Sequence, residues 1–415
     1  MKKLFLLLCA AALFIMCSDD ETTEIIEQEM MDEEPMDPPP PPPPPLTFPA
    51  PCDGGKAGEI YPCYGIDLIY HISLDEMNAS RGNDCWGWTD STTGKEYALM
   101  GLDNGTAFID ISNPALPIYL GKLATQTSSS TWRDIKVYEN HAYIVSEASG
   151  HGMQVFDLTQ LRDVNNPPEN FQITAIYTEF GSAHNIVINE ESGYAYAVGT
   201  ATFKGGPHFI NIQEPANPQP AGGYSMGSYS HDAQVVTYTG PDTDYTGREI
   251  LIGSNVNEIV LVDITDKNNP QPISTIAYGQ TGYTHQGWFT EDQRYFLLGD
   301  ELDELDFGFN SRTIVFDFSD LDNPIEHTQY GGPTTAIDHN GYVKDNNYYL
   351  ANYSAGLRII DVTDIANGTL NEIAYFDSLP ENNTASFTGA WSVYPYYESG
   401  HIIISDINTG FYLVK

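Results

Sequence analysis

The chain has 415 residues, with 17 Lys and Arg against 57 Asp and Glu and a formal net charge of −40. So large an acid excess excludes a general nucleic-acid binder, because neutralising phosphates needs clustered basic side chains. Its 36 Gly, 27 Pro, 27 Tyr and 18 Phe, among 41% hydrophobic residues, describe an ordered chain of strands and turns, since aromatic rings suit pleated surfaces and Gly and Pro interrupt them.

At the N-terminus Met1-Lys2-Lys3 precedes an apolar run from Leu4 to Met16. A basic start and a short hydrophobic stretch have the proportions of an export signal, residues 1–16, and cannot span a bilayer. Cys17 follows directly and resembles the processing site of a bacterial lipoprotein, in which it becomes the lipidated N-terminus. Cleavage near Ala10-Ala11-Ala12 would instead release a soluble protein. The Cys17-Ser18-Asp19-Asp20-Glu21 start is also similar to the acidic export signal of surface-displayed lipoproteins. That resemblance implies an outer-membrane protein, anchored by lipid and exposed at the cell surface.

Residues 17–48 read as a tether. Positions 18–37 hold ten acidic residues and no basic one, and Pro38 to Pro45 follow without interruption. Such a segment buries too little apolar surface to offset its ordering entropy, and the proline run predicts a polyproline-II rod of roughly 25 Å. Cys52 and Cys63 then flank a Gly-rich turn. An exported compartment permits a disulfide between them, which would pin the end of the tether. Cys85 lies among aromatic residues and reads as a buried thiol; no spacing suits a cysteine zinc site.

Residues 49–415 repeat. A strand ending in Asp recurs around Asp110, Asp157, Asp263, Asp317 and Asp361, with Asn211 in a degraded copy. Asn-Pro turns follow most copies, and the period is 44 to 54 residues. A second register reads Trp86, Arg133, His184, His231, His285, His339, Trp391, each opening a strand. Seven units with room for four short strands predict an all-β, seven-bladed β-propeller. The last unit has three strands, ending at Val414, so the orphan strand Ile66–Ile72 is expected to close the last blade from the N-terminal side and remove the exposed edges.

Phe108-Ile109-Asp110-Ile111-Ser112-Asn113-Pro114 resembles the LVIVD repeat. Asn83-Asp84 with Trp86-Gly87-Trp88, Ser230-His231-Asp232-Ala233-Gln234, Thr284-His285-Gln286-Gly287-Trp288 and Gly389-Ala390-Trp391-Ser392 are similar to the choice-of-anchor B family of bacterial surface proteins. The resemblance covers residues 51–415 and implies a displayed propeller, without implying a settled activity.

The first strand of each blade lines a propeller's channel, so His184, His231, His285 and His339 should sit on one ring. Imidazoles suit Zn²⁺, Cu²⁺ or Ni²⁺, and Asp134 and Asp232, each following a ring member, offer carboxylates. The same histidines could instead hydrogen-bond neighbouring blades in a structural role. Arg133 disfavours a cation and suits an anion; Trp86, Trp132 and Trp391 offer faces to a sugar or aromatic group. Asp300, Glu301 and Asp303, in an acidic loop with Glu304 and Asp306, are a second candidate, for Ca²⁺; a solvated loop is the alternative. No GxSxG elbow is present. The expected function is a surface-anchored binding or scaffold module for a protein or glycan partner, more a binder than an enzyme. The alternative is a metal-dependent enzyme using the histidine ring.

Overall fold

A computed structural model describes residues 46–415 of the protein. The export signal, Cys17 and the tether up to Pro45 lie outside the described residues. The packed body begins at Leu46, and Leu46 and Phe48 lie against its core.

The protein is an all-β β-propeller. Each repeat folds into an antiparallel sheet because its alternating apolar strands are separated by tight turns. The first blade shows the pattern: Gly82–Thr89, Glu96–Leu102, Gly105–Asp110 and Ile118–Ala124 pair in chain order. The innermost strands of the successive sheets are Gly82–Thr89, Arg133–Tyr138, Asn185–Asn189, Asp232–Thr237, Thr284–Phe289, Gly341–Lys344 and Ala390–Tyr394. Each lies beside the next, and Ala390–Tyr394 lies beside Gly82–Thr89, so the cycle closes. Six sheets each have one repeat as their core, two of them extended at the outer edge, by Glu169–Phe171 of the second repeat and by the N-terminal hairpin; in the remaining sheet the innermost three strands come from the C-terminal end and the outer one from the N-terminal end. In it Leu68–Ser73 pairs antiparallel with Gly410–Val414, His71 opposite Tyr412, as a seven-bladed closure requires.

The recurring Asp ends its strand in the same way each time. Asp110, Asp157, Asp263, Asp317 and Asp361 accept a hydrogen bond from the backbone N–H two residues on, at 2.8–3.0 Å. Asn211 does the same toward Gln213 at 2.9 Å. This is an Asx turn, which breaks the ladder and redirects the chain.

Apolar faces are buried between blades. Phe108 of one blade stacks on Phe156 of the next at 4.6 Å between ring centres. Ile210 of the third blade joins Val145 and Val155 of the second. Burying one such side chain contributes roughly 1.5–3 kcal/mol. Cys52 and Cys63 are disulfide-bonded, and the hairpin they staple adds Tyr61–Tyr64 to the outer edge of the sheet ending in Asn371–Phe376. Cys85 is a buried free thiol. Among the described residues no helix is long and apolar enough to cross a membrane.

Candidate metal centre

The four histidines stand just before or at the start of four consecutive innermost strands, and their rings form one arc, each tilted 40–45° to the next. Ring centres are 4.0 Å apart for His184 and His231, 4.4 Å for His231 and His285, and 4.4 Å for His285 and His339. Trp391 follows edge-on, 4.9 Å beyond His339. Bonding to the next blade orients the rings: His231 Nδ1 meets the carbonyl of His285 at 3.2 Å, and His339 Nδ1 meets that of Trp391 at 2.5 Å. A carbonyl only accepts, so each of these Nδ1 atoms carries the proton and Nε2 is left as a lone pair. Burial, aided by His184 for His285 and by His285 for His339, holds both down to about 3, so both rings are neutral.

Glu301 meets them from the loop after strand Tyr295–Asp300. Its carboxylate oxygens lie 3.6 Å from His285 Nε2 and 3.6 Å from His339 Nε2. The Tyr353 hydroxyl donates to Glu301 Oε1 at 2.9 Å, while the Tyr353 ring packs on His339 at 4.4 Å. Tyr353 itself has φ +23°, and backbone strain in a non-glycine residue persists only where the surroundings impose it. His231, His285 and Glu301 each offer a ligand atom within 4.8 Å of the others. At the other end of the arc, His184 Nδ1 lies 2.6 Å from Glu147 Oε1. The space that the histidines enclose is about 20 Å³, room for one ion or one water.

The ring needs one correction. The residue level with Arg133 is Asn83, not Trp86. Asp84 accepts from Ile135 N at 3.1 Å just as Asp134 accepts from Ile186 N at 2.7 Å, which fixes Asp84 and Asp134 as equivalents. The strand register shifts between Gly82 and Cys85, and this bulge displaces Trp86 toward the opposite mouth. Arg133 turns away from the channel, donating to the Leu102 carbonyl at 3.1 Å and to Thr125 Oγ1 at 2.8 Å, with His151 Nε2 at 3.0 Å. Its charge therefore opposes a cation at the histidines less than its ring position implies.

Asp134 and Asp232 do not join Glu301. Together with Asp84 they form the next layer down the channel around a buried lysine, with Lys136 Nζ 2.8 Å from Asp134 and 3.5 Å from Asp84. Burial works against the charge on Lys136, but Asp134 and Asp84 outweigh it and hold its pKa above the ordinary value. Burial, and the neighbouring charge of Asp134, push Asp232 up to about 7.

The acidic loop likewise divides. Asp300 is consumed by donors: Tyr278 Oη at 2.8 Å and the N–H groups of Gly282 and Tyr283 at 2.9 and 2.6 Å. Asp303 pairs with Arg312 at 2.6 Å. Of the three residues expected to share Ca²⁺, only Glu301 faces the channel. Nothing in the local sequence links it to histidines on other strands; only the loop's position at the same end of its blade does so.

Beside the arc opens a cavity of about 390 Å³ lined by Arg81, Trp132, Glu301, Tyr353, Phe387 and Trp391. Trp132 and Phe387 are exposed. The opposite mouth holds a cavity of about 410 Å³ walled by Trp86, Trp288, Tyr394 and Tyr396, with Glu190 and Glu291 at its rim.

No protein-family model matches the chain, and no curated protein matches it. Among solved structures it is similar to hydrazine synthase of Kuenenia stuttgartiensis, with a TM-score of 0.53 and 10% identity over 76% of this chain and 91% of that one. A protein from Lactobacillus plantarum gives a TM-score of 0.50 and 14% identity over 78% and 88% of the two chains. Likeness at such identities establishes the β-propeller fold alone.

Proposed function

We propose that the protein is an exported, lipid-anchored binding module of the LVIVD, choice-of-anchor B kind, which recognises its ligand at a divalent metal at the channel mouth. The observation that supports the metal is electrostatic. The neutral His339 imidazole, its Nδ1 proton given to the Trp391 carbonyl, turns an Nε2 lone pair toward the Glu301 carboxylate at 3.6 Å, and an acceptor facing an acceptor is repelled unless a cation lies between them; His285 Nε2 stands at the same 3.6 Å from the other carboxylate oxygen. Ligand atoms around tetrahedral zinc stand about 3.3 Å apart, close to this separation. Imidazole and carboxylate together suit zinc or another borderline divalent ion.

When bound, such a metal supplies Lewis-acid polarisation of a ligand oxygen. The remaining work belongs to the chain. Tyr353 holds Glu301 in place, and Nδ1-to-carbonyl bonds fix the His231 and His339 imidazoles, the outer support that metal ligands need. The adjoining cavity offers Trp132, Trp391 and Phe387 as walls and Arg81 for an anionic group. This favours a small organic ligand with a flat face and an acidic substituent.

Metal analysis of tag-free protein tests the proposal. One equivalent of zinc-class metal should survive dialysis in the wild type and be lost in His285→Ala and Glu301→Gln. Tyr353→Phe, which removes only a support, should weaken binding roughly 10–100-fold. Metal-free protein with unchanged variants would refute it.

A second reading, a glycan or protein partner, rests on the opposite mouth, where Trp86 and Trp288 flank a cavity with carboxylates at its rim. A pull-down through the intact anchor should then lose its partner in Trp288→Ala but keep it in His285→Ala; equal recovery from both would count against it.

A further inference from the structure

Beneath the Glu301 loop lies a second group of acids that the histidine site does not use. Asp303 and Glu304 come from the short helix Asp303–Phe307, and Asp338 comes from the next blade, directly before His339. All three are buried, Asp303 and Asp338 completely. One oxygen of each lies within 4.8 Å of the others.

Their hydrogen bonds leave a deficit. Asp303 Oδ2 is taken by Arg312 at 2.6 Å, and Glu304 Oε1 accepts from Asp338 N at 3.3 Å. Asp303 Oδ1, Glu304 Oε2 and both Asp338 oxygens have no partner. A buried polar atom without a partner loses its full solvation, and a buried carboxylate loses more. One shared proton would join a single pair of these oxygens and leave two unpartnered; burial and the neighbouring acids push Glu304 up to about 8 and Asp338 well above the carboxylate range, so a second proton is the alternative to a cation. The close approach is also kept open: a Cβ on Gly299 would stand 2.5 Å from Asp338 Oδ2.

We propose that Asp303 Oδ1, Glu304 Oε2 and the Asp338 carboxylate bind a hard divalent cation, Ca²⁺ in preference to Mg²⁺. Oxygens on opposite sides of Ca²⁺ are about 4.6–5.2 Å apart, whereas Mg²⁺ draws them to about 4.2 Å. The oxygens lie within 4.8 Å of one another, and three carboxylates in a closed, all-protein site suit Ca²⁺, because Mg²⁺ dehydrates reluctantly and is usually held by one or two carboxylates and several waters. All-oxygen donors distinguish this site from the imidazole site. The ion would be structural: it ties the helix that follows Glu301 to the residue preceding His339, so it positions the neighbouring centre without touching it. The other acidic group, Asp242 with Asp320 and Asp322, differs in kind, because backbone N–H groups and Tyr245 already occupy its oxygens.

The test is calorimetric titration of EDTA-treated protein with Ca²⁺, with thermal unfolding measured in parallel. The expected result is one Ca²⁺ per chain with a raised unfolding midpoint, and affinity weakened roughly tenfold or more in Asp338→Asn and Glu304→Gln, as expected from lost ligand charge. Asp320→Asn and Glu301→Gln should bind Ca²⁺ like the wild type, which separates this site from the surface group and from the zinc-class centre. If Asp338→Asn does not fold, Glu304→Gln and the wild-type titration decide. No stoichiometric Ca²⁺ in the wild type, or unchanged affinity in a folded Glu304→Gln, would overturn the proposal.

Discussion

At the scale of single residues, the recurring aspartates show how one side chain shapes a repeat. Asp263 Oδ1 accepts from Thr265 N at 3.0 Å while Oδ2 accepts from Arg248 at 2.6 Å. Asp263→Ala removes both and should destabilise the protein by about 1–2 kcal/mol. Asp263→Asn keeps the turn bond and should lose less, as read by chemical denaturation. Asp90 works between blades, its carboxylate held by Arg162 at 2.6 and 2.7 Å. This bidentate bond, opposed by burial and aided by Thr93, lowers the pKa of Asp90. A carboxylate with a depressed folded pKa adds stability above its unfolded value, about 3.9, and loses it as pH falls through the folded value. Asp90→Asn should therefore lower the unfolding midpoint at pH 7. Its deficit should shrink steadily below about pH 4; a deficit independent of pH would contradict this account.

At the scale of elements, the N-terminal hairpin and the closing strand act separately. The Cys52–Cys63 bond spans a sequence separation of 11, and closing a loop of that size removes roughly 3 kcal/mol of unfolded-chain entropy. Cys52→Ser with Cys63→Ser should lower the unfolding midpoint yet leave metal content unchanged, because the hairpin packs on an outer sheet edge. Much of this level was legible in the sequence. Asp, Asn-Pro and His each recur at a fixed place in the repeat, so period and strand order follow from residue type. The first unit misled because its bulge puts Trp86 where a column of aligned residue types expects a ring member, and a register shift has no signature in composition. Glu301 was visible as an acid but not as a partner of His285, 16 residues away in sequence and on a neighbouring strand. Nor did any pattern distinguish Asp300, which backbone N–H groups consume, from Glu301, which they leave free. Both sit in the same acidic run, and only the turn decides which one faces the channel.

At the scale of the molecule, closure makes a ring of sheets into one cooperative body. Leu68–Ser73 covers the free edge of Gly410–Val414, and removing it would expose backbone donors and acceptors on a long apolar strand. A variant beginning at Leu74 should aggregate, whereas one beginning at Leu46 should remain monodisperse by size-exclusion chromatography. The same closure gathers residues from distant repeats at the channel mouth, where four imidazoles line a space for one ion and Glu301 stands beside His285 and His339. The central claim is that this space holds a metal. Anomalous diffraction from crystals of protein purified without a tag, collected on both sides of the zinc absorption edge, tests it most directly. The account predicts a peak within bonding distance of His285 Nε2 and the Glu301 carboxylate, with Nε2 of His231 or His339, on either side of His285, as a further ligand. Crystals grown with zinc that show no peak there, with a water bridging the imidazoles instead, would contradict it.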